Sequence, residues 1–171
     1  MYMLRIVTAS QAIAEMGLTE VCSAITNLEE ACFPPAEAAP YASFEARLSA
    51  FSDRFWLLYV DRELVSMVNG SLTNDPDLRD EMFHDAGLHD PAGTWQMIFG
   101  VATLPAYRCR GFAGKLLDTA IEQCRREGRA GLVLTCKHAK LAYYGSHGFI
   151  NEGLSASEHG GDVWYQMRVE L

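Results

Sequence analysis

The sequence predicts an α/β protein of the α+β kind, a mixed sheet of about seven strands with helices on both faces. Three observations lead there. A chain of 171 residues, 49% apolar and 21% charged, is long enough for one full core and predicts a single domain over residues 1–171. A hairpin pattern occupies residues 54–72. From Thr94 onward strand-like and helix-like segments alternate, which places helices against a sheet rather than in a separate bundle.

Taken in order, "LRIVTA" from Leu4 predicts a first strand. "SQAIAEMGLTEVCSAITNLEEACF" then carries helical spacing as two helices broken near Gly17. "FPP" at Phe33–Pro35 ends that region, because a residue before proline is steered out of helical geometry. "SFEARLSAF" predicts a short helix with Ser43 as its cap. "RFWLLYVDRELVSMVNGSL" is two β-rich runs around Asp61, Arg62 and Glu63, a hairpin. The acidic stretch 73–93 has the length of a functional loop or lid. "TWQMIFGVATL" predicts one buried strand ending before Pro105. A glycine-bearing turn follows, then a helix to about Gly128, the strand "GLVLTC", a helix over 138–146, the segment "GFINEG" and a last strand "VWYQMRVEL".

A net charge of -8 argues against nucleic-acid binding, since such a surface on average repels phosphate. Arg108, Arg110 and Lys115 form a local basic exception. Five widely spaced cysteines without a C-x-x-C pair read as reduced thiols, and no metal is expected. The start "MYMLRIVTAS" lacks a leader pattern and no apolar run reaches membrane-span length, so a cytoplasmic protein without a membrane partner is expected.

The turn at 107–115 carries the strongest chemical signal. Ala113, Leu116, Leu117, Ala120, Ile121 and Cys124 share one helical face while Lys115, Asp118, Glu122 and Arg125 face away, so the helix starts near Gly111. Its first N–H groups lack intrahelical partners and carry the positive end of the helix dipole, which suits an anion. A surface turn whose glycines serve geometry alone accounts for the same residues. A nucleotidase phosphate loop does not, because Cys109 stands where glycine is needed and Leu116 where Ser or Thr is needed; a G-x-G-x-x-G fingerprint is also absent.

The run Arg108-Cys109-Arg110-Gly111-Phe112-Ala113 resembles the Gln/Arg-x-x-Gly-x-Gly/Ala signature of the GNAT superfamily of N-acetyltransferases. Its setting between strand and helix, and "AYYGSHGF" after the next strand, are similar to that family as well. "EEACFPPAEAAPY" and "HGGDVWYQM" look like a bacterial branch resembling arylalkylamine N-acetyltransferases. The resemblance implies a mostly antiparallel sheet splayed in the middle, and acetyl-CoA as cosubstrate. The pyrophosphate would lie on Arg108, Arg110, Gly111, Phe112, Ala113, Gly114 and Lys115. The pantetheine arm would lie along Val101 and Thr103, with Gly100 marking the splay. Tyr144 matches the general acid that protonates the departing thiolate, and Tyr143 beside it is the control.

The histidines that arylalkylamine relatives carry before the signature correspond to Met97 and Phe99, which accept no proton. Glu29 or Glu30, Glu81 or His84, and His159 are the remaining bases, with Glu30 first and His159 second; a water relay also fits. Asp80, Glu81 and Asp85 favour a cationic amine, and Tyr41, Phe83 and Trp164 allow an arylalkylamine or polyamine. Acetyl transfer to a primary amine is thus the leading expectation, and a non-catalytic acyl-CoA-binding module the alternative. The final strand, read as an edge, offers a homodimer contact.

Overall fold

The computed structural model describes residues 1–171. Strand β1 (Leu4–Thr8) runs into α1 (Ala9–Met16) through a capping box, in which the Thr8 hydroxyl accepts from the Gln11 amide at 3.3 Å and the Gln11 side chain accepts from the Thr8 amide at 2.9 Å. Gly17, with φ 89°, separates α1 from α2 (Leu18–Cys32), as the spacing predicts. The chain then passes through Pro34 and Pro35 into α3 (Tyr41–Phe51). Pro40, not Ser43, stands at the start of α3; proline supplies the extended approach without a side-chain cap.

Strands β2 (Phe55–Val60) and β3 (Glu63–Asn69) form the expected hairpin. Asp61 and Arg62 take φ of 47° and 79°, the left-handed pair that matches strand twist in a two-residue turn. The apolar run 94–104 is two strands instead of one: β5 (Trp95–Ile98) and β6 (Gly100–Thr103) belong to different sheets, with the break at Phe99. The short β4 (Leu72–Thr73) and α4 (Glu81–His84) lie earlier in the chain. After β6 come α5 (Phe112–Arg126), β7 (Gly131–Cys136), α6 (Leu141–Gly145), β8 (Ile150–Leu154) and β9 (Tyr165–Glu170).

These elements divide between two compact units. The first, Met1–Asn69 with Gly100–Leu117, contains an antiparallel sheet in the order β1-β2-β3-β6. Its core is Ile25, Phe44, Phe51, Phe55 and Leu57, each at most 1% exposed. Phe55 meets Phe44 edge-on at 6.3 Å and Phe51 in a stack at 6.1 Å. Each such ring contributes on the order of 1.5–3 kcal/mol through burial.

The second unit, Gly70–Phe99 with Asp118–Leu171, contains a sheet in the order β4-β5-β7-β9-β8. Only β5 and β7 run parallel, as expected for strands joined through a helix. Met97 and Val133 are fully buried there beside Leu78 and Met82. Gly70 is obligatory: a Cβ would sit 1.6 Å from the Met97 carbonyl oxygen. β9 lies between β7 and β8, so the final strand is interior and β8 is the edge, contrary to the sequence expectation. The folded architecture is therefore mixed and mostly antiparallel, with strands in two hydrogen-bonded sheets.

Candidate active site

In the first unit, β6 is the last strand of its sheet, paired only with β3. Leu104 donates to the Val65 carbonyl at 2.9 Å, and antiparallel alternation then turns the main-chain groups of Ala102 toward β3 and those of Val101 and Thr103 outward. The Thr103 carbonyl confirms the direction. It accepts from Arg108 Nε at 3.0 Å and Cys32 Sγ at 3.3 Å, both outside the ladder. The outward N–H and C=O of Val101 and the N–H of Thr103 face away from the sheet, as an added extended chain requires.

The turn after β6 is built from backbone. Cys109 and Gly111 have φ of 60° and 77°, with Arg110 between them, an alternation of φ sign that aims successive amides into one concavity. No sequence signal announced Cys109, because a side chain in that region is uncommon and costs roughly 1–3 kcal/mol. The first helical bond of α5 is Lys115 N–H to the Gly111 carbonyl at 3.0 Å, which leaves the amides of Phe112, Ala113 and Gly114 without intrahelical acceptors. A Cβ at Gly111 would meet no atom within 4 Å, so that position is constrained by its φ and not by space.

Arg108, Arg110 and Lys115 are exposed. The Arg110 guanidinium donates to the Ala106 carbonyl at 3.2 Å and lies 5.2 Å over the Tyr107 ring, whose hydroxyl donates to Glu63 at 2.8 Å. Both arginines are thus anchored through neutral or aromatic groups. A converging set of amides, a helix dipole end and anchored cations fits a diphosphate, with an open strand edge leading away from it.

Residues 22–149 match the acetyltransferase (GNAT) family. The chain belongs to that family. No curated protein matches the sequence. By fold, this GNAT chain is similar to the loading GNATL domain of CurA from Lyngbya majuscula (14% identity, 99% of this chain and 98% of that one, TM-score 0.77). It is also similar to the ribosomal-protein-S18-alanine N-acetyltransferase from Escherichia coli (16%, 98% and 94%, TM-score 0.69). A GNAT family acetyltransferase from Brucella melitensis, solved in complex with acetyl-CoA, aligns over 99% of this chain and 88% of its own (18%, TM-score 0.59). No cluster of three or more His, Cys, Asp or Glu is arranged to hold a metal ion, and no helix is long and apolar enough to cross a membrane.

The segment around Tyr143 and Tyr144 lies in the second unit. Tyr144 on α6 is 9% exposed, packed edge-on against Tyr143 at 5.1 Å and Phe149 at 6.0 Å. Burial, reinforced by Tyr143 and Cys136, raises its phenol well above the ordinary tyrosine range, so it stays protonated and able to donate. Tyr143 is half-buried and packs on His147 at 5.2 Å. His159 begins a 3-10 turn, stacks on Phe83 at 5.2 Å, and its carbonyl accepts from Trp164 Nε1 at 2.7 Å. Phe83 in turn packs on Phe99 at 4.8 Å. Met97 is fully buried and Phe99 partly so.

Of the two adjacent glutamates on α2, Glu30 is exposed and Glu29 is 6% exposed. Glu29 Oε1 accepts from the Ala39 amide at 3.1 Å, and Oε2 is buried with no hydrogen-bond partner. Burial pushes its carboxyl up to about 7, against the opposing pull of the Ala39 amide and the Arg47 charge. Helical spacing held the clue, since Glu29 falls four residues after Ile25 and seven after Cys22, on the buried face.

Proposed function

We propose that the chain is a single acetyltransferase domain over residues 1–171 that moves an acetyl group from acetyl-CoA directly to a primary amine. The observation that carries this is the pairing, in the first unit, of an amide-lined cationic turn with the outward main chain of Val101 and Thr103. The turn is suited to the cosubstrate's pyrophosphate through Arg108, Arg110, Gly111, Phe112, Ala113, Gly114 and Lys115. The strand edge is suited to the amide-bearing pantetheine arm. Tyr144 is the residue that the family resemblance matches to the general acid of the departing sulfur, a phenol that stays protonated and able to donate. The attacking nitrogen forms the new bond to the carbonyl carbon, and the outward Val101 N–H is suited to its developing oxyanion.

A small cationic amine, an arylalkylamine or a polyamine is the favoured acceptor. A cavity of about 320 Å³ in the second unit has Asp77, Asp80, Glu81 and Glu152 in its lining against Arg79, a net acidity that supports positive charge on it even though Asp77, Asp80 and Glu152 also bond within the chain. The aromatic set Phe83, Phe99, His159 and Trp164 supports an aryl group. Five free thiols suit the cytoplasm. Glu30 and His159 are the sequence-derived acceptors of the amine proton. The test is release of free thiol from acetyl-CoA on incubation with an amine library; binding of acetyl-CoA without thiol release from any amine would leave the non-catalytic acyl-CoA-binding reading instead.

A further inference from the structure

Buried charge in the first unit converges on Glu29. The carboxyl sits near the end of α2, and its neighbours come from two other segments and from its own helix. The segment between α2 and α3 supplies the Ala39 amide. α3 supplies Arg47, itself 5% exposed, whose positive charge acts on the carboxyl. On its own helix, Glu29 also acts on Cys32, which in turn faces Arg108 and the Thr103 carbonyl. These are the titratable and charged groups around it.

Arg47 connects this carboxyl to the head of β6. Its Nη1 donates to Asn69 Oδ1 at 3.3 Å. Asn69 is the register partner of Gly100, and its Nδ2 lies 3.2 Å from where a Gly100 Cβ would be. The cationic turn lies beyond the Thr103 end of the same strand, so a cosubstrate anchored there and extended along the edge presents its thioester toward Gly100. Glu29 is the carboxylate on that side with one oxygen held by an amide and the other left over.

We propose that Glu29, held by the Ala39 amide within the field of Arg47, receives the proton of the attacking amine, directly or through one water; this deepens the acetyltransferase reading and rests on it. The N–H bond of the nitrogen that has attacked the thioester breaks as Oε2 takes the proton. The C–S bond breaks as the sulfur leaves with its electron pair and ends protonated as the CoA thiol. Solvent later removes the proton from Glu29, so the net reaction is amine plus acetyl-CoA to amide plus CoA thiol. Burial tunes the carboxyl to a range where it is both ionised enough to accept and basic enough to matter at neutral pH. Glu30, one residue on, is exposed and points out of this array.

The experiment compares rate–pH profiles of wild type, Glu29→Gln and Glu29→Asp with acetyl-CoA and one accepted amine. It also follows the carbon-13 shifts of labelled glutamate carboxyls across pH. In wild type, activity rises as the Glu29 carboxyl loses its proton near pH 7, in addition to the rise set by the amine itself. Glu29→Gln is expected to lower kcat/KM at pH 7 by about a hundredfold and to erase that inflection, while calorimetry gives an acetyl-CoA Kd within about twofold of wild type. Glu29→Asp keeps an inflection at reduced rate. An inflection unchanged in Glu29→Gln, or one removed by Glu30→Gln or His159→Asn alone, would overturn the assignment. So would a wild-type spectrum with no glutamate titrating between about 6 and 8, whatever the variants do. Wild type that neither binds acetyl-CoA nor releases thiol overturns the acetyltransferase reading, and the proposal with it.

Discussion

The turn at 107–115 in the first unit and the acidic segment 75–90 in the second handle charge in opposite ways. Arg108 and Arg110 donate to main-chain carbonyls, of Thr103 and Ala106, so their positive charge and most of their donors are left over. In the acidic segment the aspartates are already in use. Asp75 accepts from Arg79 at 2.5 Å, and Asp77 from Gln166 at 2.9 Å and Arg168 at 3.3 Å. Asp80 accepts from the Ser157 hydroxyl at 2.5 Å, and Asp85 and Asp90 tie down the amides of Gly87 and Ala92. Spare donors on a strained backbone suit the ligand proposed for the turn, whereas most acceptors of the acidic segment are engaged within the chain and can act on a ligand through their charge alone. The segment read as a lid from its length is thus fastened at Asp75, Asp80 and Asp90.

The contrast can be broken at the turn first. Gly111→Val should weaken acetyl-CoA binding at least a hundredfold by calorimetry, because φ of 77° forces a β-branched residue either to strain or to swing the amides away. Circular dichroism should remain that of wild type, since no atom crowds the site. Wild-type affinity in that variant would make the turn an ordinary surface feature.

Next in size is the tyrosine segment of the second unit. Tyr144→Phe should lower kcat by about a hundredfold with little change in acetyl-CoA affinity, because a donor to the leaving sulfur acts only as the bond breaks. Tyr143→Phe should stay within about twofold. Equal losses in the two variants would return Tyr144 to a packing role.

The smallest effect belongs to the acidic segment. Asp75→Asn removes an ion pair to Arg79 whose side chains are 27% and 54% exposed. It should change unfolding free energy by no more than about 0.5 kcal/mol and leave cosubstrate binding untouched. A large loss of binding there would erase the distinction between the two regions.

Much of this was readable from residue order because the features are periodic or main-chain in origin. The apolar face of α5 is one case: Leu116, Leu117, Ala120 and Cys124 are each fully buried. The Asp61-Arg62 turn and the glycine break at position 17 are others. What was not readable depends on neighbours distant in sequence. The run 95–103 reads as one strand in its residues, with only Gly100 and the family resemblance pointing to a splay, and the split at Phe99 follows from which strands each half meets. The left-handed Cys109 is imposed by its surroundings, not by its side chain. Glu29 and Glu30 are chemically identical; helical spacing puts Glu29 on the buried face, but the Ala39 amide and the Arg47 charge that act on it come from other segments.

Strand β9 follows β7 and β8 in the chain yet lies between them. During synthesis, then, β8 leaves the ribosome with no hydrogen-bonding partner, since β9 is the strand it pairs with. Ile150 and Leu154 on β8 are each 72% exposed even in the finished fold. The nascent second sheet therefore waits with a gap between β7 and β8, and its closure depends on the arrival of β9. Pairings between strands that are not neighbours in the chain form more slowly than local ones and leave strand edges uncovered meanwhile. A chain stalled between Leu154 and Tyr165 is the species a chaperone would be expected to hold.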